Sequence, residues 1–138
     1  MDRPQIARIR GILEELKANI PATRTVFCLH LSSSLIIDEI GLDGLGRDAA
    51  GELVSLVVTM LTAAQKLSSE IIEDPWTCAT FIGSQSYLLI GMIGEIAILG
   101  VLVESSEGAM VNLSTAQLEL FLDYGKELAE LLRLLSAG

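Results

Sequence analysis

The residues that could do chemistry are few, and their spacing matches no catalytic site. His30 is the only histidine, and it lies inside a β-rich apolar run, where an imidazole without a cluster of partners is typical of a structural side chain. No Ser-His-Asp or Cys-His arrangement can be assembled around it, and no G-x-S-x-G turn occurs. We therefore predict no catalytic residue and no enzyme activity.

Residues 38–48 contain a group of glycines and a group of carboxylates, the two patterns in the sequence that are most similar to a ligand-binding site. Its glycines lack the Lys-Ser or Lys-Thr pair of a phosphate-binding loop, so they are interpreted as turn residues. Its carboxylates do not have EF-hand spacing and are expected to form a solvated acidic rim. The glycines are Gly41, Gly44 and Gly46, and the carboxylates are Asp38, Glu39, Asp43 and Asp48. No metal and no cofactor are expected.

Charge and cysteine content narrow the class of protein. The 138 residues carry nine basic and eighteen acidic side chains, net −9, so nucleic acids and anionic membrane surfaces are unfavourable partners.

Cys28 and Cys78 are too few for a disulfide framework and are expected to be small buried apolar residues. The charged first twenty residues do not resemble a signal peptide, which predicts a cytoplasmic protein. The length predicts a single domain over residues 1–138.

One apolar run must be either a membrane span or a hairpin. Residues 86–103 contain a single charge, Glu95, near their middle, where a transmembrane helix tolerates an acidic residue poorly. The pair Gly94-Glu95 divides the run into two equal arms, and Gly at the first central position suits a type II′ turn. The run therefore predicts a β-hairpin without membrane insertion.

Periodicity and turn residues predict the remaining elements. A helix follows Pro4 and ends at Pro21, and strands are predicted at residues 25–31 and 35–40. Asp48 is the expected N-cap of a second helix, residues 49–71, and strands follow at 76–83, 86–93 and 96–103. Ser114 and Gln117 form the capping box of a last helix. Because the later strands are apolar on both faces, helices must cover both faces. The predicted fold is α+β with three layers, α/β/α: a five-stranded antiparallel sheet between helices, in the order α-β-β-α-β-β-β-α.

The second helix is the most informative element. One face is predicted to pack on the sheet, and the other carries Ser55, Thr59 and Thr62 beside Val54 and Val58, with no charge from Leu53 to Gln65. A helix without a charged face is generally covered on both sides, so the outer side is expected to meet a second chain. An ordinary half-exposed helix is the alternative. The residues of the predicted sheet-facing side are Leu53, Val57, Met60, Ala64, Leu67 and Ile71.

This pattern resembles the Roadblock/dynein light-chain family, including its bacterial members that act on small Ras-like GTPases. The resemblance extends from about Ile6 to Leu132, and the turn Ser32–Ser34 departs from the Asp-Gly-type turn of many relatives. It is carried by the segments ILEELKANI, TVFCLHLSSSLIIDEIGLDG, ELVSLVVTMLTAAQKLSSEI and YLLIGMIGEIAILGVLVES, followed by a terminal helix. The implied fold is of the Roadblock/longin-like, profilin-like type.

The resemblance also implies how the chain assembles. Family members pair their second helices and join their sheets at the third strand, as homodimers or heterodimers. They bind Ras-like GTPases generally without a fixed arginine finger, so Arg47 is interpreted as a solvated charge. The implied dimer or partner interface consists of Val54, Ser55, Val58 and Thr62 on the helix and Trp76, Cys78 and Thr80 near the sheet edge.

Three functions follow as hypotheses. The leading one is a non-enzymatic homodimeric regulator or scaffold that binds a small Ras-like GTPase and modulates its nucleotide cycle or localisation. The second is a small-molecule-binding sensory domain, because a sheet apolar on both faces could also line a cavity. The third is a structural, light-chain-like subunit of a larger complex, without effect on nucleotide turnover.

Overall fold

The order of helices and strands follows the predicted pattern throughout. A computed structural model describes residues 3–74, 78–105 and 113–137, without the side chains of residue 47 and residues 135–137. A short 3₁₀ turn, Leu42–Leu45, precedes the second helix, and a π-helical turn, Leu67–Ile72, extends it. The elements are α1 (Arg3–Asn19), β1 (Thr23–His30), β2 (Ile36–Ile40), α2 (Arg47–Lys66), β3 (Cys78–Ile82), β4 (Ser86–Ile93), β5 (Ala97–Glu104) and α3 (Thr115–Ala137).

All five strands belong to one antiparallel sheet with the order β2-β1-β5-β4-β3. The first and last strands in sequence, β1 and β5, pair at its centre, and β2 and β3 form its two edges. The β1–β2 register shifts between Cys28 and Leu29, so the β2 edge carries an irregularity. This arrangement confirms the five-stranded antiparallel prediction and, among the described strands, gives β3 a single neighbour, β4.

Helices cover both faces of the sheet, as the two-sided apolar strands require. Alternate residues of β1 point to opposite faces: Val26 and Cys28 belong to the core shared with α1 and α3, and Phe27 and Leu29 belong to the core shared with α2. The three-layer prediction is therefore confirmed, with two helices on one side and one on the other. Described core residues on the α2 side are Phe27, Leu29, Val54, Val57, Leu61, Ile90 and Ile98.

At the centre of the sheet, the aromatic ring of Phe27 covers Gly100. Phe27 of β1 lies directly opposite Gly100 of β5 and is 1% exposed. A Cβ atom built on Gly100 would lie 2.0 Å from Cζ of the ring, far inside van der Waals contact. The ring therefore occupies the space that a side chain at position 100 would fill.

The apolar run at residues 86–103 forms the β4–β5 hairpin, as predicted, but the turn type differs. Gly94 has φ +53° and Glu95 has φ +65°. Positive φ at both central residues is the signature of a type I′ turn, whereas type II′ needs it only at the first. The type II′ prediction was wrong because Glu95 adopts a left-handed conformation that glycine alone was expected to supply.

The two predicted helix starts have different outcomes. The capping box of α3 is confirmed: the Gln117 backbone N–H donates to Ser114 Oγ at 3.1 Å, and the Ser114 N–H donates to Gln117 Oε1 at 3.1 Å. The Asp48 N-cap is wrong, because α2 begins at Arg47, with Gly46 (φ +89°) before it and no side-chain cap. Asp48 instead lies in the first turn of α2, where its negative charge interacts favourably with the positive end of the helix dipole.

The sheet-facing side of α2 agrees with the predicted one in part. Leu53, Val57 and Met60 pack in the core as predicted. Leu61 and Ser68 are also buried, which was not predicted, whereas Leu67 and Ile71 are 42% and 74% exposed. Two adjacent rows of α2 are apolar, so helical spacing alone does not decide which row meets the sheet. The inner row continues at Ser68, whose hydroxyl donates to the Gln65 carbonyl at 3.2 Å.

Candidate functional site

The outer face of α2 carries a row of small residues. Gly51, Ser55, Thr59 and Ala63 follow one another at four-residue spacing and are exposed, with Leu56 beside them at 52% exposure. The Thr59 hydroxyl donates to the Ser55 carbonyl at 2.9 Å. That donor is therefore satisfied within the helix, and a covering surface need not supply a hydrogen bond to it. We call Gly51, Ser55, Leu56, Thr59, Thr62 and Ala63 the outer face of α2.

The structure divides the four helix residues of the predicted interface into two groups. Ser55 and Thr62 are exposed and lie on the outer face. Val54 is only 9% exposed and Val58 is half-buried, and both pack in the core between α2 and the sheet. The valines sit one position away from the small row, on the side that turns inward. Ser55 and Thr62 are thus the predicted residues that a partner surface would meet most directly.

The β3 edge is uncharged and open. Cys78 and Thr80 are half-buried, because an edge strand has a neighbour on one side only; the burial expected for Cys78 is therefore incomplete. Phe81 and Ile82 are 48% and 71% exposed. The predicted interface residue Trp76 lies outside the described residues. A flat, uncharged, partly apolar edge strand favours pairing with another strand.

The opposite edge, β2, is protected against such pairing. Its strand has the same length as β3, but it is irregular in register and carries two carboxylates, Asp38 and Glu39. Inward and edge charges of this kind discourage a further strand from adding. The two edges therefore differ in kind, and strand addition is favoured at β3.

The helix α2 is strongly apolar, yet few of its residues are buried within the single chain. By length and composition, one helical segment among the described residues, Asp48–Ile72, could cross a membrane, with a mean hydropathy of 1.2. Only 17% of its most apolar 18-residue stretch is buried within the single chain. Because Val57 and Leu61 already use the inner side for the core, the apolar character that remains lies on the outward side.

A shallow groove runs beside this outer face. It has a volume of about 590 Å³ and is lined by residues from α2 and from the β1–β2 turn, among them Gly51, Ser55, Leu35 and Ile36. Gly51, Leu56 and Ala63 were not among the predicted interface residues, whereas Thr59 was predicted to lie on the side that meets a second chain. The signal that would have found most of them is the four-residue repeat of small side chains in the sequence.

The residues singled out for possible chemistry have structural surroundings. Cys28 is buried, as expected, and burial together with the nearby Asp38 charge raises the pKa of its thiol to about 12. Ser33 Oγ lies 3.0 Å from His30 Nδ1. Asp38 does not belong to a solvated rim as expected, because Arg10 Nη1 donates to its Oδ1 at 3.1 Å. Within the described part of the chain, no group of three or more His, Cys, Asp or Glu side chains is placed to hold a metal ion.

The remaining carboxylates of the predicted rim are divided between bonded and solvated positions. The Leu42 backbone N–H donates to Glu39 Oε2 at 2.8 Å, so this carboxylate fixes the turn after β2. Asp43 and Asp48 are exposed. The side chain of Arg47 lies outside the described part of the structure.

Comparison with known proteins identifies the fold. Neither a family model nor a curated protein matches the chain in sequence. Solved structures do match: MglB from Myxococcus xanthus has a TM-score of 0.78 at 18% identity, covering 98% of this chain and 95% of that chain. An MglB with a tetrameric arrangement has a TM-score of 0.73 at 18% identity, covering 95% and 92%. A Roadblock/LC7 domain from Streptomyces avermitilis has a TM-score of 0.62 at 16% identity, covering 92% and 93%.

Proposed function

We propose that this chain, which has the Roadblock/LC7 fold over nearly its whole length, is a non-enzymatic, homodimeric regulator or scaffold of a small Ras-like GTPase, acting in the cytoplasm. The observation that carries this proposal is the outer face of α2, a long helix face without charge at its centre whose residues are exposed among the described parts of the single chain. The fold likeness adds support, because the outer face and the β3 edge are the two surfaces through which the resemblance implies dimerisation.

Pairing of two α2 helices accounts for the small residues. Gly51, Ser55, Thr59 and Ala63 let a second helix approach closely, since neighbouring helices pack at 8–10 Å depending on the side chains at the contact. Leu56 and Leu67, at 52% and 42% exposure, would be removed from water at the same contact. Burial of apolar surface stabilises association by about 25 cal/mol per Å².

Joining two β3 edges accounts for the contrast between the sheet edges. Two antiparallel β3 strands would form backbone hydrogen bonds with each other along the joined edges, and Phe81 and Ile82 would lose solvent exposure. Interfaces between permanent partners resemble a domain core cut in half. The helix pair and the strand pair together would give one continuous sheet with the α2 helices on one side.

The action on a GTPase rests on the resemblance and on the lack of any assembled catalytic group. A protein without its own catalytic residues changes a nucleotide cycle by binding one nucleotide state, or the transition state between them, more tightly than the others. A tether would bind both states equally. A regulator, a scaffold and a structural subunit therefore differ in their affinities for the nucleotide states of the GTPase and in their effects on the rates of its nucleotide cycle.

A matched pair of substitutions tests the assembly part of the proposal. Ala63→Glu places a charge in the small row of α2, and Ala7→Glu makes the same change on the exposed side of α1. We expect Ala63→Glu to give a folded monomer, because a buried unpaired carboxylate opposes helix pairing, and Ala7→Glu to stay dimeric. Dimers in both variants would contradict helix pairing through this face.

Binding to Ras-like GTPases from the same genome, loaded with GDP or a GTP analogue, tests the functional part. We expect one nucleotide state to bind the wild-type dimer at least tenfold more tightly. Rates of GTP hydrolysis and nucleotide release, measured with and without the protein, separate a regulator from a scaffold or a structural subunit. Failure of every such GTPase to bind in either state would refute the functional proposal while leaving the dimer intact.

A further inference from the structure

A cleft opens on the α1/α3 side of the sheet, at the end where β1 turns into β2. Its volume is about 670 Å³, within the range of small-molecule sites. Four regions supply its walls: Ile6 of α1, Leu35 of the β1–β2 turn, Ile96 beside the β4–β5 turn and Leu132 of α3. The result is a concave aliphatic cleft at the end of the layer between the sheet and the helices α1 and α3; it shares Leu35 and Ile36 with the groove beside the outer face of α2.

The rim of this cleft concentrates exposed aliphatic side chains. Ile6 is 43% exposed, Leu35 66% and Ile36 45%, and all three line the same cleft. Contiguous apolar surface of this kind marks a binding site more often than scattered apolar residues do. A ligand with an aliphatic body would remove these side chains from water.

Polar groups lie among the aliphatic walls and limit the chemistry of the ligand. Ser33 Oγ and Ser32 Oγ lie 3.0 Å and 3.2 Å from His30 Nδ1. These contacts engage Nδ1 and leave Nε2 as the ring nitrogen for a ligand, as donor or acceptor according to the tautomer. Asp38, the charged residue of the described lining, is already paired with Arg10 at 3.1 Å. The described lining therefore offers one imidazole nitrogen for a hydrogen bond, and its carboxylate already has a partner.

From this geometry we propose that the cleft binds an uncharged amphiphile, with an aliphatic body along the Ile6 and Leu35 walls and a hydroxyl head that forms a hydrogen bond with His30 Nε2. An anionic head is disfavoured by Asp38 and by the net charge of −9. A cationic head gains little, because Arg10 already occupies the Asp38 carboxylate. The site does not depend on the proposed GTPase function.

Displacement of the neutral dye Nile red tests the proposal. We expect saturable dye binding that 1-decanol displaces at a concentration at least tenfold lower than decanoate or decylammonium. Ile6→Glu, which puts a charge in the cleft wall, is expected to weaken displacement at least tenfold. Leu134→Glu is the matched control, because Leu134 is a 46% exposed aliphatic residue of α3 outside the cleft lining. Circular dichroism establishes that both variants fold.

A second variant tests the head group separately. His30→Phe removes the hydrogen-bonding ring nitrogen but keeps an aromatic ring, and should weaken decanol binding roughly three- to tenfold, the range expected for one lost hydrogen bond. The proposal is overturned by unsaturable dye binding, by equal losses in Ile6→Glu and Leu134→Glu, or by unchanged decanol binding in His30→Phe. A change of molar mass in Ile6→Glu alone would assign the cleft to a second copy of the chain instead.

Discussion

The contact between Phe27 and Gly100 gives the sharpest prediction about stability. In Gly100→Ala, the new Cβ would lie 2.0, 2.4 and 2.6 Å from three carbons of the Phe27 ring. The ring is 1% exposed, so it has no free space into which to move. Overpacking of a tight core costs about 1–3 kcal/mol, and an overlap with three ring atoms places this substitution near the middle, at about 2 kcal/mol. With a urea m-value of roughly 2 kcal/mol per M, the unfolding midpoint falls by about 1 M.

Urea unfolding at a fixed protein concentration measures the effect, since assembly makes stability concentration-dependent. A double-mutant cycle with Phe27→Leu identifies its cause. The smaller side chain frees the space above position 100, so the double variant should be more stable than the sum of the single effects by about 1 kcal/mol. Strict additivity, or a Gly100→Ala midpoint equal to that of the wild type, would show that the ring does not cover Gly100.

Three further predictions follow from single residues. Gly125→Ala in α3 should raise the free energy of unfolding by about 0.5–1 kcal/mol, because alanine favours a helix over glycine and a Cβ there meets no atom within 4 Å. A lower urea midpoint would show that the added methyl group does not fit at this position. Native Cys78→Ser protein should leave Cys28 unlabelled by a thiol reagent at pH 8, because burial raises the pKa of that thiol to about 12, and rapid native labelling would contradict the burial. Arg8 Nη2 donates to Glu127 Oε1 at 2.9 Å and lowers the pKa of Glu127 below its ordinary 4.5. The stabilising effect of this pair is present above pH 4.5 and disappears as the pH falls through the lowered pKa, so melting temperatures of wild type and Glu127→Gln should differ at pH 7 and converge in acid; a difference independent of pH would exclude the ion pair as its source.

Local signals in the sequence were sufficient for most of the fold. The capping box at Ser114 and Gln117 placed the start of α3 because both hydrogen bonds form between residues three apart. The division of the apolar run at Gly94 placed the β4–β5 hairpin because a turn of this kind is short-range. Helix cover on both faces followed from strands without a polar side.

Features that depend on long-range contacts were beyond the sequence. The pairing of β1 with β5 joins the first and last strands, and no local pattern specifies it. On α2, the choice between two apolar rows is made by the surface of the sheet, which buries Val57 and Leu61, while Leu67 stays exposed. The left-handed conformation of Glu95 is likewise imposed by the hairpin on a residue that does not favour it.

The candidate site was partly predictable for the same reason. The lack of charge on α2 indicated that its outer side is covered, and Ser55 and Thr62 lie there. Val54 was assigned to the wrong side because a valine fits the core and an interface equally well. The distinction between the protected β2 edge and the open β3 edge needed the strand order as well as the composition of each strand.

Molar mass by light scattering in detergent-free buffer tests the central claim most directly. If a second copy covers the outer face of α2, the wild-type protein has twice the chain mass of 14.8 kDa, and Ala63→Glu returns it to the mass of one chain. A wild-type protein that is monomeric and well behaved at micromolar concentration would mean that the face of Ser55, Thr59 and Ala63 meets water. That result would contradict the dimer on which the proposed function rests.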